Sequence, residues 1–257
     1  MTAAFPGGLS PVVAWPLAIA LAAALGSFLN VCISRLPRGE SVVSPPSHCP
    51  RCGMAIRFYD NIPLVSFIAL RGRRRACRAP TSWRNPLVEA LAVGVGLLVL
   101  WQLGPTWEGL RAFLLGLALI AVTFIDLETF LIPDRITLPG IVVGLATQLY
   151  PSVRGVIDGL LGCLLAGGVF YLIALASRGG MGGGDIKLAA MIGAFLGWKL
   201  VLVAIFVGVL AGGVTGVVLL LLGRKGRKDP VPFGPFLALG GVVAALWGEP
   251  LLAWYLG

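Results

Sequence analysis

Apolar residues run so continuously along this chain, and charges are so sparse, that most of it can only be soluble in lipid. Of its 257 residues 58% are hydrophobic and 12% are charged, about half the charged share of an ordinary soluble domain. A bilayer core is ~30 Å thick and takes ~20 helical residues to cross. Apolar runs predict spans at 11–33, 86–103, 109–126, 135–150, 156–176, 186–198, 199–222 and 234–255. The fourth and sixth are short, and a re-entrant course stays open for each. The expected fold is an all-α polytopic membrane protein with about eight transmembrane helices.

The basic residues orient it. With the N-terminus outside, the 34–85 loop is cytoplasmic and holds ten arginines, from Arg35 to Arg84. The other inward loops hold Arg135, Arg178, Lys187, Arg224, Lys225, Arg227 and Lys228, so seventeen of the twenty Lys and Arg residues lie inside. Only Arg111, Arg154 and Lys199 remain outside. That asymmetry favours a cytoplasmic loop and two periplasmic termini. It also accounts for the net charge of +9, so no nucleic-acid partner is expected. No Lys or Arg precedes Arg35; the basic start of a secretory signal is missing, and the first run is read as a retained span.

Three regions follow: residues 1–33 as the first transmembrane helix, 34–85 as a cytoplasmic loop domain, and 86–257 as a transmembrane bundle. The loop is too small for a robust core without a staple, and Pro45-Pro46, Pro50, Gly53 and Pro63 break it into turns. Gly140-x3-Gly144, Gly193-x3-Gly197, Gly208-x3-Gly212 and Gly212-x3-Gly216 fit close helix crossings, although chance suffices in a chain with 36 glycines.

Carboxylates at span ends carry the chemical signal, because charge is costly in lipid. Glu89 and Asp158 lie one turn inside spans and read as caps or paired groups. Asp126 ends the third span in Phe124-Ile125-Asp126-Leu127-Glu128, ahead of Ile132-Pro133-Asp134. Asp185 follows Gly182-Gly183-Gly184 and precedes Ile186-Lys187. The eight-span arrangement puts both at the cytoplasmic face; six spans would part them. Two carboxylates a few ångströms apart share one proton. The ionised one can take a proton from water while the protonated one donates to a carbonyl oxygen. Glycines before Asp185 let a backbone approach closely. A bland reading stands beside this one, in which Asp126 caps the next helix or holds Arg135. The sole histidine is His48, in the soluble loop. An intramembrane Ser-His pair therefore lacks its base, and no His-Glu-x-x-His zinc motif occurs.

These motifs, in this order, resemble the type IV prepilin peptidases. The resemblance covers most of the chain. It runs through Gly26-Ser27-Phe28-Leu29-Asn30-Val31 with Ser34-Arg35-Leu36-Pro37, then Cys49-Pro50-Arg51-Cys52-Gly53, Asp60-Asn61-Ile62-Pro63 and Ser82-Trp83-Arg84-Asn85-Pro86-Leu87-Val88-Glu89. It ends in the Asp126 segment through Pro133-Asp134 and in Gly180-Met181-Gly182-Gly183-Gly184-Asp185-Ile186-Lys187-Leu188. The resemblance implies an aspartic endopeptidase of the bacterial inner membrane, with Asp126 and Asp185 catalytic. Gly182, Gly184, Lys187, Pro133 and Asp134 would support them. The implied partners are the bilayer and a type IV prepilin or pseudopilin, cut after a glycine at the cytoplasmic face. Bifunctional members also methylate the new N-terminal residue with S-adenosylmethionine.

The family loop carries two Cys-x-x-Cys pairs that bind zinc. Here Cys49 and Cys52 are intact, but the second pair reads Arg74 and Cys77. Structural zinc sites take four ligands, so Cys49, Cys52 and Cys77 are an incomplete set. A weaker site and no metal both stay open. No glycine-rich dinucleotide fingerprint is visible. The rival readings are a peptidase that has lost its methyltransferase, a transporter with carboxylates in a proton path, and a membrane scaffold without activity.

Overall fold

The computed structural model describes residues 11–44, 52–54, 63–75, 77–150, 152–177, 181–223 and 231–257. Among them every long element is a helix: α1 (Pro11–Arg35), α2 (Val65–Ala69), α3 (Arg84–Leu103), α4 (Trp107–Thr129), α5 (Asp134–Thr147), α6 (Val153–Ala176), α7 (Gly183–Leu221) and α8 (Gly234–Leu256). No strand occurs among the described residues beyond an isolated bridge between Arg73 and Pro80. All of these helices except α2 and α5 are long and apolar enough to cross a membrane. The fold is therefore all-α and polytopic, as the composition requires.

The predicted spans map onto these helices with one change of form. The runs at 186–198 and 199–222 are one element, the 39-residue α7, ~58 Å if straight and nearly twice a bilayer core. It is not straight. Gly197 sits at φ 77°, ψ 175°, a region essentially reserved for glycine, and breaks the helix there. The first half, like the 14-residue α5, rises only ~21 Å. Both short runs are thus helical, yet neither alone spans a full bilayer core.

The chain divides into two compact units, one ending at Gly109 and one beginning at Leu110. In the first, α1 packs on α3 where Gly26 faces the Glu89 backbone. A Cβ on Gly26 would lie 2.9 Å from the Glu89 Cα and 3.0 Å from the Ala92 Cβ. The Gly26–Val31 and Ser82–Glu89 motifs meet at this crossing. Ser27 and Asn30 hydrogen-bond the Glu89 side chain, Asn30 also donates to the Asn85 carbonyl at 3.0 Å, and the Leu64 N–H donates to Glu89 Oε2 at 2.8 Å. Glu89 is the paired group its sequence position suggested. A turn at 73–80 carries Arg74 and Cys77, closed by the Arg74 N–H on the Ala79 carbonyl at 2.9 Å.

In the second unit α7 is the hub. Its core partners include Leu119 and Val122 of α4, Phe170 of α6 and Leu237 of α8. The closest crossing joins α6 and α7 at Gly162 and Gly193. A Cβ on either would collide with the other's backbone, and one on Gly162 would also lie 2.6 Å from the Gly197 carbonyl carbon. Gly140 and Gly144 of α5 seat on Met191, Ala194 and Phe195; Gly208 and Gly212 of α7 seat on Phe236 and Phe233. Gly216 meets nothing within 4 Å, so the last of the four glycine pairs is not a crossing. Gln148, after α5, donates to the Phe195 carbonyl at 2.8 Å and accepts from Arg111 at 2.6 Å. It thereby serves a carbonyl beside the Gly197 break, where the helical ladder is interrupted.

The α6–α7 crossing is steric at backbone level, so it cannot relax by a rotamer change. Gly162→Ala is expected to destabilise the detergent-solubilised protein by at least the ~1–3 kcal/mol typical of overpacking. Gly168→Ala, on the same helix with nothing within 4 Å, should leave thermal stability unchanged.

Candidate active site

Four helix ends of the second unit supply the site: the C-terminus of α4 and the N-termini of α5, α7 and α8. Asp126 lies in the last turn of α4 and is 5% exposed. Its Oδ2 accepts a hydrogen bond from the Gly234 N–H at 2.9 Å. Helix α4 stops where Phe130 turns to a left-handed backbone (φ 55°), its N–H on the Asp126 carbonyl at 2.9 Å. That conformation is uncommon for an aromatic residue, and it redirects the chain. Pro133 then takes an extended φ of −68° and ψ of 131° as the N-cap of α5, where a proline's missing N–H and fixed φ cost little.

Asp185 stands in the first turn of α7 and is half-buried. Its N–H donates to the Gly182 carbonyl at 3.1 Å, and the Gly182 backbone hydrogen-bonds its side chain. Asp126 is near enough for its charge to act on the Asp185 carboxyl. The structure therefore places the two aspartates within electrostatic reach of each other, each with a glycine backbone on its side chain. Packing sets the approach. A Cβ on Gly184 would lie 2.8 Å from the Ile132 Cβ, so this glycine lets the start of α7 press against the α4–α5 connection.

Lys187 is turned to a different partner. Its Nζ lies 2.7 Å from both carboxylate oxygens of Asp134, joining the first turns of α5 and α7 beside the aspartates. Of the supporting residues expected from sequence, Gly182, Gly184, Lys187, Pro133 and Asp134 all fall at this end of the unit. Gly234 was missed. Its signal was Pro232-Phe233-Gly234-Pro235 ahead of the last span, a helix start with a proline in its first turn.

The candidate metal set lies partly outside the described residues. Cys52 is exposed, Cys77 is half-buried on the 73–80 turn, and Cys49 and His48 lie outside the described residues. Among the described residues no three of His, Cys, Asp or Glu converge to hold an ion. The Asp60-Asn61-Ile62 motif and Gly180 also lie outside them.

Comparison with known proteins follows the same division. Residues 20–103 match the bacterial peptidase A24 N-terminal domain and residues 113–217 match the type IV leader peptidase family. The chain is 39% identical to a prepilin leader peptidase/N-methyltransferase of Aeromonas hydrophila, over 90% of each chain. It is 36% identical to one of Pseudomonas aeruginosa over 93% of this chain and 92% of the relative. For one of Burkholderia pseudomallei the identity is 37%, over 96% and 89%. No solved structure matches.

The Lys187–Asp134 pair is open to solvent, with side chains 41% and 53% exposed. Such pairs contribute ~0–1 kcal/mol. A double-mutant cycle of Lys187→Ala and Asp134→Ala on thermal stability should give a coupling below ~1 kcal/mol, reduced further at high salt.

Proposed function

The chain belongs to the type IV leader peptidase family, and from that premise we propose that it removes the basic leader of type IV prepilins or pseudopilins and N-methylates the residue so exposed. Asp126 and Asp185 are the catalytic dyad of this reading. What supports it is their placement: residues fifty-nine positions apart in sequence, on two helix ends, within electrostatic reach of each other.

The dyad shares one proton. Its ionised member takes a proton from a water molecule while the water oxygen bonds to the scissile carbonyl carbon. Its protonated member gives its proton to the carbonyl oxygen. Collapse of the tetrahedral intermediate returns that proton. The leaving nitrogen takes the other as the C–N bond breaks. The short α5 and the Gly182–Gly184 approach keep this chemistry at the end of the bundle, where water is at hand. A substrate with a basic leader and an apolar helix fits that location, its helix in lipid and its scissile bond at the interface.

The site faces the cytoplasm in this reading, in the bacterial inner membrane, with both termini periplasmic. The Lys and Arg asymmetry supports it. Trp83, Trp101, Trp107, Tyr150, Trp198, Trp254 and Tyr255 are exposed and flank helix ends or the Gly197 break, a pattern that marks interfaces without distinguishing the two sides. Aromatic side chains of this kind favour the membrane interface. The 34–85 segment is the cytoplasmic loop domain and 86–257 carries the peptidase.

S-adenosylmethionine is the methyl donor of this reading, and when bound it supplies the methyl group transferred to the new amine. The described residues offer it no strand–glycine turn–helix cradle.

Asp126→Ala and Asp185→Ala should each lower cleavage of a co-expressed prepilin by about 10²–10⁴-fold, the scale of a general acid or base, with the protein still inserted. Mass spectrometry of the mature product should show one added methyl group with the wild-type enzyme. Normal cleavage by either variant would overturn the dyad.

A further inference from the structure

We propose that Gly234 is a positioning residue for peptide hydrolysis: its backbone N–H, delivered by the N-terminus of α8, fixes one oxygen of Asp126 and leaves the other to face the attacking water. This rests on the dyad reading above and adds a residue from a third helix to it.

The first turn of α8 accounts for its own donors. Pro235 has no N–H. Phe236 and Leu237 donate to the Phe233 carbonyl at 3.0 and 3.2 Å. The Gly234 N–H is the donor left over, and it goes to Asp126 Oδ2 at 2.9 Å. Helix N-termini concentrate such unpaired donors and favour an anionic partner. Phe233, the N-cap, brings no side-chain cap of its own. Among the described residues Asp126 Oδ1 accepts no hydrogen bond, which leaves that oxygen for water.

Only glycine permits this contact. A Cβ at position 234 would lie 2.8 Å from Asp126 Oδ2, 3.2 Å from Cγ and 3.3 Å from Cβ, so the carboxylate itself would have to move. The donor is also well anchored. The Phe233 ring packs 6.0 Å from that of Phe170 on α6 and fills the space over Gly212 of α7, where a Cβ would lie 2.9 Å from it. Gly208 sits against the Phe236 carbonyl, 3.0 Å from where its Cβ would be. Helices α6 and α7 thus set the position of α8, and α8 sets Asp126. A misplacement of about 1 Å at such a group costs on the order of 10²-fold in rate.

The test is steady-state cleavage of a prepilin-type peptide by the purified full-length protein in detergent. Gly234→Ala is expected to lower kcat about 10- to 100-fold with KM within about threefold. Gly241→Ala is the packing control. It wedges the same two helices, since its Cβ would lie 2.9 Å from Leu119 Cδ1, but away from Asp126. It should match Gly234→Ala in lost thermal stability while keeping wild-type kcat. If Gly234→Ala does not accumulate, Phe233→Leu adds no atom near Asp126 but loosens the anchor, and it should lower kcat without changing KM. The proposal is overturned if Gly234→Ala, or Phe233→Leu in its place, retains wild-type kcat, or if Gly241→Ala loses as much. Asp126→Ala and Asp185→Ala run in parallel separate the two claims. Should both be inactive while Gly234→Ala is normal, the dyad stands and Gly234 has no part in it; should either be active, the dyad itself fails.

Discussion

Helices surrounded by lipid gain nothing from the hydrophobic effect when they meet, because a neighbouring side chain is no more apolar than an acyl tail. What holds them is close backbone approach, and in residues 110–257 that approach is made through glycine. Gly162 against Gly193 joins α6 to α7, Gly140 and Gly144 seat α5, and Gly208 with Gly212 seats the start of α8. Three of the four helix ends at the site, those of α5, α7 and α8, are placed by these contacts.

The break at Gly197 belongs to the same scheme. Backbone polar groups inside a bilayer must be satisfied within the protein, and a broken helix leaves carbonyls in need of donors. Gln148 supplies one to Phe195 and is itself held by Arg111. Far from that end, the carboxylates face the matching problem of a charge out of water. They meet it with backbone donors, Gly234 for Asp126 and Gly182 for Asp185. Both solutions use groups that no side-chain motif records.

Much of this was legible beforehand. Hydropathy located every long helix because a membrane span has to be both apolar and of fixed length. That Asp126 and Asp185 lie within electrostatic reach of each other agrees with the even number of passes expected between them. The 14-residue α5 and the 24-residue α6 separate them, and two passes return the chain to the same end. Glu89 could be recognised as a paired group, although its partners Ser27, Asn30 and Leu64 belong to segments far along the chain. The unity of α7 was less visible, since the apolar pattern is the same whether a helix is bent at Gly197 or two helices are joined there. Lys187 looked like a neighbour of the dyad by position, yet the fold turns its ammonium to Asp134.

The sequence by itself determined that this protein is a helical membrane protein, which of its carboxylates are out of place in lipid, and which family its motifs belong to. Those are consequences of composition, length and local order, which need no partner to be read. Only the tertiary structure decided that Asp126 is held by the N–H of Gly234, 108 residues away, and that Gly184 is filled by Ile132 rather than left open. A backbone N–H has no sequence signature, because every residue but proline carries one. Which of them reaches a carboxylate is set by how helices pack.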